Sequence, residues 1–141
     1  MGRIKIQLPE KFIFTTTLTV RIDDLNYGRH LANDRVLALA HEARIQFLKS
    51  LQYTELNLAG TSLIMSDAAI SFKAEAFQGN ELIIEIGVTD LSKFGFDLIY
   101  KITDKEAKHE VAIVKTGMIC FNYEKKKMTL LPTEAKEKLN G

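Results

Sequence analysis

The sequence predicts an α+β domain in which one long helix packs on a face of an antiparallel sheet, and three features of the chain predict it. A β-branched and aromatic run comes first, a single segment of about 19 residues with helical period follows, and then four long strand-like runs alternate with turn residues. At 141 residues one core buries roughly 70% of the surface that the unfolded chain exposes. A single domain spanning 1–141 is therefore expected, needing neither a disulfide nor a structural metal.

The first strand is expected over Phe12 to Ile22, where Phe12, Phe14, Leu18, Val20 and Ile22 share one alternating face. A polar stretch from Asp23 to Asn33 leads into the helix, expected from roughly Asp34 to Gln52. At about 100° per residue, Val36, Ala40, Ala43, Phe47 and Leu51 form one stripe, flanked by Leu37 and Leu48. Ile45 and His41 lie further round, so the apolar arc is wider than a surface helix needs. A helix covered by sheet on one side and by a partner on the other has this pattern. Arg44 falls inside the stripe, and its guanidinium must find a carboxylate or snorkel outward. His41 reads as an interface or packing residue ahead of a base.

Strands are expected over Leu63 to Ala76, Glu81 to Leu91, Phe94 to Thr103 and Glu110 to Tyr123. Gln78-Gly79-Asn80, Ser92-Lys93, Asp104 to Lys108 and Glu124 to Lys127 mark the turns between and after them. Such strands exceed the ordinary mean of about 5 to 6 residues, which predicts a sheet that curls around the helix. Lys125-Lys126-Lys127 is the one charge run, read as a solvated turn ahead of a phosphate contact. The end of the chain after Pro132 reads as a short charged helix or a frayed terminus.

Composition excludes several functions. With 19 basic and 18 acidic residues, bulk electrostatics recruits no nucleic acid, and any anion site must be local. Cys120, the only cysteine, lies in an apolar strand-like run and reads as a buried inert thiol, and no His/Cys spacing suits zinc. No apolar stretch approaches the roughly 18 residues of a membrane span, and no signal-like segment follows Met1. A cytoplasmic protein without metal, redox cofactor or membrane partner is expected.

Chemistry-bearing residues concentrate in Asp23 to Asp34, the loop that enters the helix: three Asp, two Asn, a Tyr, an Arg and a His. The first-turn N–H groups of a helix lack intrahelical partners and sit at its positive end, where they bind an anion or polarise a carbonyl. A carboxylate beside them completes the minimal equipment for acyl transfer to water. Residue by residue there is a plainer reading, with Asn33 or Asp34 capping the helix and Asp23-Asp24 forming an Asx turn.

Read as a whole, Arg21 through Arg44 resembles the signature of hot-dog-fold acyl-CoA thioesterases of the 4-hydroxybenzoyl-CoA thioesterase type, D-x-D-x-x-G-H-V-x-N-x-x-Y followed by E-A-R. Asp24 falls on the first Asp, His30 on the His, Leu31 on the Val, Asn33 on the Asn, and Glu42-Ala43-Arg44 on the E-A-R. The order of elements and the closing Leu131-Pro132 extend the resemblance over essentially the whole chain. It implies a hot-dog fold, one long central helix wrapped by a curved antiparallel sheet of about five strands. It also implies hydrolysis of an acyl-CoA or acyl-carrier-protein thioester at a site completed by a second subunit, in a homodimer or a dimer of dimers.

The chain departs from that pattern where the family's catalytic carboxylate stands, because Asn26 occupies the second Asp position. Arg29 replaces the Gly before the His, with Gly28 one place earlier, and Val36 replaces the Tyr. Asp34 adds a carboxylate just after the matched Asn. Three readings of Asn26 stay open: the base or nucleophile is Asp34; it is Asp24, with Asn26 orienting water or carbonyl; or hydrolysis is lost and a non-catalytic acyl-CoA binding or sensing protein remains. A hot-dog hydratase is disfavoured, since its acid–base arrangement is not recognisable. Asn26, Tyr27, Gly28, Arg29, His30 and Asn33 are the expected substrate-binding residues, with Arg29 facing a CoA phosphate, a substrate carboxylate or solvent. Ser66 and Asp67 line the far side of an acyl cleft or an exposed strand face.

Overall fold

Phe14–Thr19 form β1, Asn33–Ser50 α1, Ser62–Phe72 β2, Glu81–Thr89 β3, Gly95–Asp104 β4, Glu110–Asn122 β5, Lys127–Met128 β6 and Thr133–Leu139 α2. This is a computed structural model, and it describes residues 3–141. The strands make one antiparallel sheet in the order β1-β3-β4-β5-β2, with β6 paired to β5, and the architecture is the hot-dog fold.

Alternation decides which face of the sheet meets α1. Leu82, Ile84 and Ile86 of β3 pair in register with Asp104, Ile102 and Tyr100 of β4, and Tyr100 pairs with Val114 of β5. Ile84, Ile86, Leu98, Tyr100, Ile102, Ala112, Val114 and Met118 are buried in one core with Val36, Ala40, Ala43, Phe47 and Leu48 of α1. The expected helical stripe is thus the buried one, apart from Leu51, which is half-buried at the helix end.

Element ends differ from the sequence expectation for local reasons. β1 stops at Thr19, and the chain tightens into a 3-10 turn over Ile22–Asp24, which leaves Ile22 exposed instead of on the apolar face. β2 ends at Phe72, because Lys73 and Ala74 both donate to the Val111 carbonyl and the ladder closes there. Lys127 and Met128, expected in or beside a turn, add the sixth strand by pairing with Asn122 and Phe121. The closing segment is helical as α2, and it docks through buried Ala135 and Leu139.

Arg44 found its carboxylate. Its Nε donates to Glu55 at 2.9 Å and its guanidinium also donates to the Tyr100 hydroxyl at 3.0 Å, which lies 2.8 Å from the Thr116 hydroxyl. Burial opposes the charge on Glu55, but hydrogen bonds from His41 and Arg44 outweigh it and hold the carboxyl below its usual range. Burial likewise pulls Arg44 down while Tyr100 and Glu55 hold it above its ordinary value, and burial pushes the Tyr100 hydroxyl up. This network bolts the middle of α1 to the centre of the sheet.

Candidate active site

The loop between β1 and α1 is a small hairpin of its own. Asn26 N donates to the His30 carbonyl at 2.9 Å, and Arg29 N donates to the Asn26 carbonyl at 3.0 Å. The Asn26 side-chain oxygen accepts from Gly28 N at 2.9 Å and from His30 N at 3.3 Å, an Asx turn that fixes the loop. Arg29 takes φ +66°, the left-handed conformation that the tip of this turn demands. Asn26 is therefore spent largely on shaping the loop.

The loop is then pinned to the segment after β2. Leu31 N donates to the Ala76 carbonyl at 2.8 Å, and His30 forms a bridge with Phe77, whose ring it meets edge-on at 5.7 Å. His30 Nδ1 lies 3.7 Å from a carboxylate oxygen of Glu75.

The two candidate carboxylates part company. Asp24 is only 2% exposed; its carboxylate accepts from Arg21 N at 2.8 Å, and its carbonyl accepts from Ala32 N at 2.8 Å. It faces a depression shared with Arg21, Arg35 and Glu42, away from His30. Asp34 is exposed in the first turn of α1 and lines a cleft of about 600 Å³ with Asn26, Tyr27, His30, Asn33 and the chain from Phe72 to Glu75. No side chain caps α1, so neither Asn33 nor Asp34 takes the capping role, and their backbone N–H groups have no carbonyl partner among the described residues. That leaves two polarised donors beside Asp34 at the mouth of the cleft, which Glu75 also lines next to His30.

Of the expected binding residues, Asn26, Tyr27, His30 and Asn33 line this cleft, whereas Gly28 and Arg29 sit at the loop tip outside its lining. Tyr27 is fully exposed. Ser66 and Asp67 lie elsewhere: Asp67 pairs with Gly117 on the sheet face opposite α1, and Lys115 Nζ donates to both of its carboxylate oxygens at 3.0 and 2.9 Å. The strand-face alternative applies to them. Phe72, Lys73 and Glu75 are the cleft residues that the sequence did not single out. Cys120 is fully buried, and burial pushes its thiol up. Among the described residues no group of His, Cys, Asp and Glu is arranged to hold a metal, and no helix is long and apolar enough to cross a membrane.

A sequence profile of the thioesterase-like superfamily matches residues 20–139. The chain belongs to that superfamily. Among solved structures, a 1,4-dihydroxy-2-naphthoyl-CoA thioesterase from Synechocystis superposes with a TM-score of 0.83 at 24% identity, over 90% of this chain and 95% of its own. YbaW of Escherichia coli, a probable thioesterase, gives 0.77 at 24% identity over 89% and 95%. A Staphylococcus aureus protein solved in complex with CoA gives 0.81 at 14% identity over 96% and 86%. No curated protein sequence matches the chain. At these identities the superpositions establish the fold that this thioesterase-like chain shares with them.

Proposed function

We propose that this thioesterase-like protein hydrolyses an acyl-CoA thioester to a carboxylic acid and free thiol, with Asp34 as the base. The observation that carries the reading is the uncapped first turn of α1 opening into the cleft beside an exposed Asp34. The thioester carbonyl oxygen accepts from the Asn33 and Asp34 N–H groups, which stabilise the charge that develops on it. Asp34 takes a proton from water, the resulting hydroxide oxygen bonds to the carbonyl carbon, the C–S bond breaks, and the thiolate leaves and takes up a proton. Asn26 and His30 orient substrate and water, Asn33 and Tyr27 complete the substrate-binding face of the cleft, and Gly28 and Arg29 form the loop tip beside it. Asp24 keeps the loop folded in this scheme, since its oxygens already hold the backbone on either side.

A homodimer is part of the proposal. Among the described residues β2 pairs only with β5, so its other edge is free, and Met65 and Phe72 are exposed on the face of β2 that meets α1. A second copy adding its β2 to this edge covers them and walls the cleft at its Phe72 end. The dimer is proposed to act in the cytoplasm.

Asn26 supports a second reading, a non-catalytic acyl-CoA binder, because an amide cannot take the proton that the family's carboxylate takes. Thiol release from a panel of acyl-CoAs separates the two. Binding without thiol release overturns the hydrolase reading, while release that survives intact in Asp34→Asn moves the base elsewhere.

A further inference from the structure

Glu75 is the carboxylate of the cleft lining that the proposed reaction does not use. The segment after β2 supplies it, and the backbone is fixed on both sides of it. Lys73 N and Ala74 N donate to the Val111 carbonyl at 2.9 and 3.2 Å, and the Ala76 carbonyl accepts from Leu31 N at 2.8 Å. Just beyond, Phe77 N donates to the side-chain oxygen of Asn80 at 2.8 Å. Between these anchors the freedom of Glu75 is that of its side chain.

The imidazole of His30 spans the gap from Glu75 to the loop. Its Nδ1 lies 3.7 Å from a Glu75 carboxylate oxygen, and its Nε2 lies over Gly28. A methyl group on that glycine would stand 3.5 Å from Nε2 and 3.3 Å from the side-chain oxygen of Asn26. Phe77 holds the ring edge-on at 5.7 Å. The side chains of His30 and Glu75 are 37% and 61% exposed, so their contact is worth little to the stability of the fold. It does decide where the ring carries its proton. A neutral imidazole has one N–H, and the nitrogen that faces a carboxylate bears it, which leaves the other nitrogen as an acceptor. Catalytic hydrogen bonds are commonly this long in a free enzyme and tighten once substrate is bound. Lys73 and Asp34, the other charged residues of the cleft lining, form no ion pair with either partner among the described residues.

We infer that Glu75 is a positioning residue: it keeps the proton of His30 on Nδ1, so that Nε2 accepts the second hydrogen of the water whose first hydrogen goes to Asp34. With both hydrogens held by acceptors, a lone pair of that water is aimed at the thioester carbonyl carbon. The other tautomer would present an N–H at Nε2, occupy that lone pair and turn the water away from attack. The inference rests on the hydrolase reading with Asp34 as base, and its first test reads the proton without turnover. Long-range proton–nitrogen NMR spectra are recorded at about pH 8, above the ordinary histidine range. In the parent they should show His30 protonated at Nδ1 and bare at Nε2, and Glu75→Ala should shift the signals toward the opposite tautomer. Kinetics then tests the coupling. Glu75→Ala should lower kcat for thiol release about tenfold or more with KM little changed, and should lower it no further in a His30→Ala background. Glu75→Gln, whose amide oxygen accepts the same proton, should recover most of the loss. Losses that multiply in the double variant would make Glu75 act on the reaction independently of His30 and overturn the inference, as would a parent with its proton on Nε2. A parent that shows the Nδ1 tautomer, and its loss in Glu75→Ala, yet releases no thiol keeps the hold of Glu75 on His30 and loses the hydrolase reading.

Discussion

Asp24 and Asp34 stand ten residues apart at the two ends of one loop, and their surroundings assign them opposite work. An Asp34→Asn variant should melt with the parent, because its carboxylate is exposed, and should lose roughly 10²-fold to 10⁴-fold in kcat for thiol release. Asp24→Asn should instead lower stability by about 1–3 kcal/mol, because a buried acceptor of the Arg21 N–H is replaced by a group that satisfies it less well. Thermal melts beside thiol-release rates decide both, and an Asp24→Asn variant with parental stability and no activity would reverse the assignment. The sequence showed the loop because its polar residues are contiguous, and their place before a helix gave them a common physical role. It did not show Glu75 beside His30, or Phe72 and Lys73 in the cleft wall. Those contacts join segments about 45 residues apart, and nothing in the local pattern of Phe72 to Glu75 distinguishes a cleft wall from an ordinary strand end.

At the level of elements, α1 is held by more than its apolar stripe. Glu55 carries a depressed carboxyl, so its ionised form binds more strongly in the fold than in the unfolded chain. The sign follows: this stabilisation is complete above the ordinary carboxylate pKa of about 4.3 and is lost as pH falls through the lower folded value. Glu55→Gln should cost about 2 kcal/mol at neutral pH, since Arg44 then lacks a charged acceptor. The gap in Tm between parent and variant should narrow as pH falls below about 4, and a gap that stays constant from pH 3 to 7 would contradict the assignment. That Arg44 needed a carboxylate was legible from its place on the helical wheel. That Glu55 supplies it was not, because Glu55 belongs to the irregular connection before β2, where no period fixes which way a side chain points. The bulge between Met65 and Asp67 defeats the pattern in a similar way, shifting which residues of β2 face α1.

A chain of near-zero net charge leaves substrate recognition to local features, and at the scale of the whole molecule the one at the start of α1 opens into the cleft. In the proposed dimer the free edge of β2 brings a second copy to the Phe72 end of that cleft. An eleven-residue edge strand that exposes Met65 and Phe72 invites another strand, and a charge placed on each is the device by which natural edges refuse one. The parent should therefore elute at twice the chain mass by size exclusion with light scattering, and the Met65→Lys/Phe72→Lys variant as a monomer. Its far-ultraviolet circular dichroism should match the parent's, because both side chains are exposed in the single copy and its core does not depend on them. Thiol release should fall with the loss of the dimer, and it should fall in Met65→Lys alone as well, which leaves every residue of the cleft lining in place. A folded monomer that releases thiol as fast as the parent would place the whole site within one copy.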